Sequence, residues 1–398
     1  MKRPLALILT FVFIDVLGFS LILPLLPYYA EDFNASSLVV GLLLGANALT
    51  QMIGSPILGR LSDRYGRKPL LITSIAGTVV GFLMLGWANS LGMLFASRIM
   101  DGFLGGNVSL AQAYITDKTN RDERAKGLGL IGAAFGLGFI FGPALGGILS
   151  AGGNYARPAF AAAGLAALNL LGVLLWLPES LPPEQREQEA EQSRRRFSIQ
   201  ALIEALQRPC VGPLLNVVLF YGLAFTIFQT MFSLFTQKQL GLSAQTTSYV
   251  FTYVGVLIVL VQGGGIRVLS EHFSDKQLTF AGSVLLAIGL TLWALTPSLG
   301  FLLIALIPVA LASGMLRVSI NSALTKSVEK AEVGGILGLS ASMNSFTRVV
   351  APLIGSFLLA EISPVAPGIT GSVLMVGVAV YNWHRILFVP DLECEEHD

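Results

Sequence analysis

Charged residues are scarce in this sequence. Only 12% of its 398 residues are Asp, Glu, Lys or Arg, which is about half the share found in a soluble globular protein. The formal net charge is +1, so the chain has no long-range electrostatic attraction for nucleic acid. Water is therefore not the main solvent of this protein, and nucleic acid is excluded as a partner.

Residues that bind metals or carry out covalent chemistry are also scarce. The chain has two cysteines and three histidines, too few and too scattered for a disulfide framework or a metal site. It has no Gly-x-x-x-x-Gly-Lys-Ser/Thr loop for the phosphates of ATP, and no nucleophile is paired with a base. These absences predict a protein that is not an enzyme, that needs no cofactor and that is not powered directly by ATP.

Long apolar runs are what the chain has instead. Its residues are 54% hydrophobic and its mean hydropathy is +0.71. The first run, from Leu5 to about Pro27, has no small-residue cleavage site, which favours an uncleaved first helix over a signal peptide. A window of about 19 residues predicts twelve membrane spans in all. They cover residues 5–28, 38–58, 70–88, 91–114, 127–150, 157–177, 211–235, 246–266, 278–296, 299–320, 334–359 and 368–389.

The distribution of Lys and Arg predicts the topology. An even number of spans places both termini on one side, together with the Arg60–Lys68 turn and the segment 178–209. The loops on the opposite side have only Arg157 and Lys238 as basic residues. By the positive-inside rule, both termini are predicted to be cytoplasmic.

Two internal matches predict that the chain is built from two similar halves. At an offset of 208 residues, Asp63 corresponds to Glu271 and Lys68 to Lys276. A second match at an offset of 209 pairs Gly129 with Gly338, Pro143 with Pro352 and Gly146 with Gly355. We therefore predict an all-α membrane protein of two pseudo-symmetric six-helix halves, 1–177 and 210–398, an arrangement typical of transporters. The charged segment 178–209 is either a tether or a regulatory or partner-binding element, and its Arg194–Arg196 cluster could contact anionic headgroups.

Asp15 lies about halfway through the first span. A carboxylate at that depth is costly unless it faces a cavity or a partner, and burial favours its neutral form. Asp15 is therefore a candidate for binding and releasing a transported proton. The alternative is a structural acid held by backbone groups or by an arginine.

Arg98 and Asp101 lie three residues apart in the fourth span and so share a helix face, which Gly105 and Gln112 continue. Two interpretations stay open. The pair is either a structural ion pair, or Asp101 is a second site that binds a proton and Arg98 tunes it.

Four segments together suggest a family: 15–27, the Gly59–Lys68 turn, 98–106 and 138–147. They resemble the major facilitator superfamily, and within it the twelve-span drug/proton antiporters that include tetracycline exporters. The resemblance implies two six-helix halves around a central cavity and transport by alternating access. The predicted third span lacks the acid that some tetracycline-type antiporters have there, which argues against a tetracycline–metal complex as the substrate.

Two of these segments also have a physical interpretation. In the turn, Asp63 would accept hydrogen bonds at a helix N-terminus, Arg64 and Arg67 would pair with acids or anionic lipid, and Gly59 and Gly66 would allow close helix approach. Together they would form a latch, the alternative being a plain cytoplasmic loop. In span 5, glycines on one helix face would pack closely against another helix. The resemblance implies that this face seals the interface between the halves, the alternative being generic helix packing. The glycines are Gly138, Gly142, Gly146 and Gly147, with Pro143 between them.

Candidate substrate-binding residues follow from polarity and from the resemblance. Spans 2 and 11 are neighbours in this superfamily, so Asn47 and Gln51 are expected near Asn344 and Arg348, either bonding the halves together or binding an anionic group. Span 7 has an aromatic stripe, for which core packing, lipid contact and, by the resemblance, a wall of the cavity are the alternatives. Its residues are Tyr221, Phe225, Phe228 and Phe232, with Asn216 and Gln229 as polar candidates.

The predicted function is proton-coupled export of a small hydrophobic or cationic compound across a prokaryotic inner membrane. A carrier of a metabolite or organic anion is the first alternative, with Arg98 or Arg348 holding a carboxylate. A receptor or lipid scramblase that transports no solute is the second. The expected partners are the substrate, protons and membrane lipid, and the expected state is a monomer.

Overall fold

The computed structural model describes residues 3–119, 121–182, 184, 186, 204–329 and 332–387, and every regular element among them is helical. Most of the segment 178–209, including its arginine cluster, lies outside the described residues. The helices are α1 (Arg3–Ile22), α2 (Leu26–Glu31), α3 (Ser37–Tyr65), α4 (Arg67–Gly86), α5 (Leu91–Leu104), α6 (Asn107–Lys118), α7 (Arg121–Leu149), α8 (Ala156–Trp176), α9 (Val211–Leu240), α10 (Ala244–Leu260), α11 (Ile266–His272), α12 (Asp275–Ala294), α13 (Leu299–Lys326), α14 (Val333–Phe357) and α15 (Ala366–Asn382). Single π-helical segments continue α10, α14 and α15, over Val261–Gly265, Leu358–Ile362 and Trp383–Leu387.

Ten helical segments of the described chain are long and apolar enough to cross a membrane. They correspond to ten of the twelve predicted spans. The span predicted over 91–114 is divided between α5 and α6, and the last span consists of α15 and its π-helical continuation. The all-helical membrane architecture is confirmed, but the fourth span is not the single helix that the sequence predicts.

Internal contacts divide the chain into two compact units. The first consists of Met1–Arg195 with Leu242–Gly255, and the second of Arg196–Gly241 with Val256–Asp398. The first part of α10 therefore packs with the N-terminal unit. The predicted division at 178–209 stays a prediction.

In the first unit, α1 packs against α7 and α8, while α4 packs against α5 and α8. Apolar side chains such as Ile8, Leu71 and Tyr114 fill the space between them. In the second unit, α12 packs against α13 and α15, and α9 packs against α14 and α15. Among the residues of this unit that the structure describes, Trp293 is the largest fully buried side chain.

The repeat predicted from the sequence has a counterpart in the ion pairs of the two units. At the start of α4, the Arg67 Nε atom lies 3.0 Å from an Asp117 carboxylate oxygen at the end of α6. At the start of α12, Asp275 lies 2.6 Å from the Lys326 ammonium at the end of α13. These positions are related by the repeat offsets of 208 and 209 residues. The second unit thus has the same contact with the charges exchanged.

Candidate functional site

The break between α5 and α6 occurs at Gly105 and Gly106, inside the predicted fourth span. Neighbouring side chains satisfy the backbone groups released there. The Ser74 hydroxyl donates to the Leu104 carbonyl and accepts from the Gly106 N–H at 3.0 Å. The Gln51 amide donates to the Gly105 carbonyl at 3.1 Å. Irregular backbone inside a membrane span is tolerated only where the protein supplies such hydrogen-bond partners. The break is therefore stabilised by the side chains around it.

The break places Asn107 at the first position of α6, beside Asp15. The Asn107 Nδ2 atom donates to an Asp15 carboxylate oxygen at 2.6 Å and to the Thr78 hydroxyl at 3.2 Å. Asp15 is half-buried, whereas Asn107 and Thr78 are buried. The partner of Asp15 is therefore an amide rather than the backbone groups or arginine of the structural alternative.

Arg98 and Asp101 form a second buried polar group on α5. An Arg98 Nη atom lies 3.3 Å from an Asp101 carboxylate oxygen, and the guanidinium lies over the Phe82 ring at 5.5 Å. The Asn47 amide donates to the Arg98 carbonyl at 2.9 Å and to Asp101 at 3.4 Å. The other Arg98 Nη atom is buried without a hydrogen-bond partner among the described residues. The predicted pair exists, and Asn47 helps to hold it.

The other two members of the predicted face on span 4 are affected by the break. Gly105 lies in the break itself, and Gln112 belongs to the separate helix α6, where its side chain is exposed. Gln51 is half-buried and contacts the break. The substrate-binding roles of Asn47, Gln51 and Gln112 stay predictions.

The glycines of span 5 bring α7 directly onto α1, the helix that carries Asp15. The Ser20 hydroxyl donates to the Gly138 carbonyl at 2.8 Å. A side chain at Gly142 or Gly146 would collide with the backbone of Leu17 or Leu21. Gly147 faces Ser248 of α10 instead, and Pro143 lies within the continuous helix α7. The close packing is present, and the sealing role stays a prediction.

In the turn between α3 and α4, Arg67 pairs with Asp63 and with Asp117. The expectation that Asp63 accepts at a helix N-terminus is wrong, because Glu179 accepts from the Arg67 and Lys68 N–H groups at 2.9 and 3.2 Å. Asp63 is instead engaged by the Arg67 guanidinium.

The two turn glycines do not have the predicted role of allowing close helix approach. Among the described residues, nothing lies within 4 Å of where a Gly59 side chain would begin. Gly66 has a φ of 105°, a backbone conformation that favours glycine, and the Glu179 carboxylate packs over it. Arg64 is exposed and its guanidinium lies 5.6 Å from the Tyr65 ring.

In the second unit, the predicted aromatic stripe is continuous. Successive rings of Tyr221, Phe225, Phe228 and Phe232 have centroids 5.5–5.9 Å apart, and Phe228 packs against Trp293 at 4.9 Å. All but Phe225 are buried. Most of the stripe therefore packs in the core, and its role in a cavity wall stays a prediction.

The remaining candidates of the second unit lie on α9 and α14. The Asn216 amide donates to the Tyr381 hydroxyl at 3.5 Å, and Gln229 is half-buried. The Asn344 amide donates to the Ser340 carbonyl at 3.0 Å. Arg348 is exposed and interacts electrostatically with Arg317. The expected grouping of Asn344 and Arg348 with Asn47 and Gln51 stays a prediction.

Three residues of the N-terminal unit were missed by the sequence analysis: Thr78, Asn107 and Glu179. An Asn directly after a Gly-Gly pair inside an apolar run is a signal for Asn107, because such a pair weakens a helix. Thr78 is one hydroxyl among many in the spans, and only its neighbours distinguish it.

The buried polar residues around Asp15 and Asp101 in the first unit have apolar residues at the corresponding positions of the second. At the repeat offset of 209 residues, the positions of Asp15, Arg98, Asp101 and Asn107 are occupied by Ala224, Ile307, Ala310 and Leu316. The helix α13 is also continuous where α5 and α6 are separate. At these four positions, polar and ionisable side chains therefore occur in the first repeat and apolar ones in the second.

A bundle of apolar helices with ionisable side chains inside its spans has the architecture of a membrane transporter. The family model of the Major Facilitator Superfamily matches residues 8–267 and 266–391. The chain therefore belongs to this superfamily of transporters, and it is not an enzyme.

Three known proteins illustrate the similarity. The class C tetracycline resistance protein of Escherichia coli is 30% identical over 384 residues, which are 96% of this chain and 95% of that protein. Multidrug resistance protein 2 of Bacillus subtilis is 27% identical over 364 residues, 90% of this chain and 89% of that protein. The crystal structure of the human organic anion transporter MFSD10 shares the fold with a TM-score of 0.70 at 24% identity, covering 96% of this chain and 99% of that one.

Proposed function

We propose that this transporter is a proton-coupled antiporter that exports small hydrophobic or cationic compounds by alternating access. The observation that carries the proposal is the pair of carboxylates inside the apolar first unit, Asp15 beside Asn107 and Asp101 beside Arg98. Intramembrane acids of this kind typically mark proton relays in transporters. Relatives named for tetracycline and multidrug resistance support export.

The proposed cycle uses the two acids as the exchange site. Protonation of Asp15 from outside favours release of the substrate, and deprotonation at the cytoplasmic side restores the substrate-binding form. Each ligand shifts the conformational equilibrium only through its different affinity for the two states. The cycle operates in the inner membrane, with both termini in the cytoplasm.

Efflux from proteoliposomes under an imposed proton gradient tests this function. We would compare the wild type with Asp15→Asn, using a panel of lipophilic cations and neutral compounds. The matched control is Asp32→Asn, since Asp32 is an exposed acid just beyond the first span. The expected result is gradient-driven efflux in the wild type and the control, and none in Asp15→Asn. Equal efflux by Asp15→Asn would reject Asp15 as the coupling residue.

A second candidate function is the carriage of an organic anion. The exposed guanidiniums of Arg317 and Arg348 repel each other electrostatically within the second unit. Arg317 also interacts with the Tyr221 hydroxyl. Such a cluster suits a carboxylate. Uptake of radiolabelled carboxylates by the same vesicles, lost in Arg348→Gln, would favour this function over export of cations.

A further inference from the structure

Asn107 and Thr78 connect the two acids of the first unit. The Asn107 Nδ2 atom contacts Asp15 at 2.6 Å and Thr78 at 3.2 Å. The Thr78 hydroxyl in turn interacts with the Asp101 carboxylate. One continuous line of polar side chains therefore runs from α1 through α6 and α4 to α5.

The direction of the hydrogen bonds along this line follows from an ionised Asp15. A carboxylate only accepts hydrogen bonds, so the Asn107 amide must present its N–H groups to Asp15. Its second N–H occupies the oxygen of Thr78, which leaves the Thr78 O–H available for its interaction with the Asp101 carboxylate. The Asn107 Oδ1 atom is left buried without a hydrogen-bond partner among the described residues, although buried acceptors are normally satisfied.

Protonation of Asp15 reverses these requirements. The new carboxylic O–H needs an acceptor, and a half-turn of the Asn107 amide places its Oδ1 atom where Nδ2 was. Oδ1 then accepts hydrogen bonds from the Asp15 O–H and from the Thr78 hydroxyl. The Thr78 hydroxyl therefore no longer interacts with Asp101. The transported proton stays on the Asp15 oxygen throughout, and no other covalent bond forms or breaks.

We infer that Asn107 and Thr78 are positioning residues that transmit the protonation state of Asp15 to Asp101, so that the two carboxylates titrate as a coupled pair. This inference rests on the proposed function, in which Asp15 binds the transported proton. It adds a physical link between the proton on α1 and the Arg98–Asp101 pair on α5.

The surroundings of Asp15 leave few other groups that could produce such coupling. On α7 it is glycines that face α1, and on α8 the Asn169 amide donates to the Phe11 carbonyl. Among the described residues, Asp101 is the charged group that acts electrostatically on Asp15. Direct electrostatic coupling between the acids therefore has to be separated from the hydrogen-bonded link.

An infrared titration of the purified protein in lipid makes that separation. The carboxylic acid band of Asp15 is identified by its loss in Asp15→Asn, and its midpoint is measured with and without Asp101→Asn. This pair of measurements is repeated in a Thr78→Val background, which removes the link but leaves the charges in place. We expect the shift in the Asp15 midpoint caused by Asp101→Asn to differ between the two backgrounds by about fivefold in proton concentration. This factor corresponds to the net contribution of one hydrogen bond.

Control variants exclude a merely structural effect. Thr73→Val removes a hydroxyl of the same helix that bonds only its own backbone, to the Pro69 carbonyl at 3.0 Å, and should reproduce the wild-type shift. Thr78→Ser keeps the hydroxyl and should do the same. Asn107→Ala interrupts the line at a second point and should match Thr78→Val, which covers the case that Thr78→Val does not fold.

The outcomes distinguish this inference from the proposed function. Equal shifts with and without Thr78→Val, in a protein whose Asp15 band titrates, would overturn the link and leave proton binding by Asp15 intact. An Asp15 that never gives a carboxylic acid band at any pH would overturn both.

Discussion

At the residue scale, the Arg98–Asp101 pair shows how a charge is kept inside an apolar unit. The side chains are only 3% and 11% exposed, so each ion has lost most of its hydration. Their mutual attraction and the hydrogen bond from Asn47 offset that cost only while both ions are present. Removing one partner should therefore be far worse than removing both.

We predict that Asp101→Ala lowers the stability of the purified protein by about 3 kcal/mol or more, because it leaves the Arg98 guanidinium buried without a carboxylate. Replacing both residues, as Arg98→Met with Asp101→Leu, should cost much less. Thermal unfolding in one detergent measures both variants. A double variant as unstable as Asp101→Ala would contradict this account of the pair.

The residues of the site could be predicted only in part. Asp15, Arg98 and Asp101 are conspicuous because charge is so rare in the spans. Asn107 and Thr78 are ordinary polar residues by sequence, and their importance depends on which helices pack together. Glu179 is likewise one of several acids beyond the last span of the first half, and only its contact with the Arg67 and Lys68 N–H groups shows its role.

At the element scale, the packing of α7 on α1 depends on the absence of side chains. A Cβ atom at Gly142 would lie 2.9 Å from both the Leu17 carbonyl oxygen and the Leu21 nitrogen, and would collide with the Ser20 hydroxyl. Backbone atoms of a packed helix cannot move away cheaply. The position of Asp15 relative to α6 therefore depends on these glycines.

We predict that Gly142→Ala destabilises the protein by about 1–3 kcal/mol through overpacking and reduces transport by moving α1. Gly129→Ala is the matched control on the same helix, since nothing lies within 4 Å of its added atom among the described residues. Melting temperature and efflux rate would be measured for both. Similar values for the two variants would show that the glycine contact does not position α1.

The elements themselves were largely predictable, because a run of apolar residues long enough to span a bilayer is a strong signal. The break in the fourth span was not. Gly105 and Gly106 weaken a helix, but glycine is common throughout these spans and most glycines lie within continuous helices. What decides the break is the presence of Ser74 and Gln51 on neighbouring helices, which bond the released backbone groups.

At the scale of the whole molecule, the two repeats retain a common framework and have diverged in polar content. The contact between Arg67 and Asp117 is largely shielded from water, with side chains 6% and 15% exposed. Its charge-exchanged counterpart includes Lys326, which is 72% exposed. An exposed ion pair contributes little to stability because water and salt screen it. The two equivalent contacts should therefore contribute different amounts to the free energy of unfolding.

We predict that Asp117→Ala costs about 2 kcal/mol, since the buried Arg67 guanidinium loses a charged acceptor. Lys326→Ala should cost less than about 1 kcal/mol. Thermal unfolding of the two variants at low and high salt measures the difference, and only Lys326→Ala should depend on salt. Equal costs would mean that the repeats use the ion pair in the same way.

The central claim is that protons and substrate move in opposite directions through this transporter. The most direct test uses proteoliposomes that contain a pH-sensitive dye, with no proton gradient imposed at the start. A transported compound from the panel is added outside, and the internal pH is followed in the wild type and in Asp15→Asn. Antiport predicts that entry of the compound drives protons out, so the internal pH rises in the wild type only. A fall in internal pH, or entry of the compound with no change, would contradict the account.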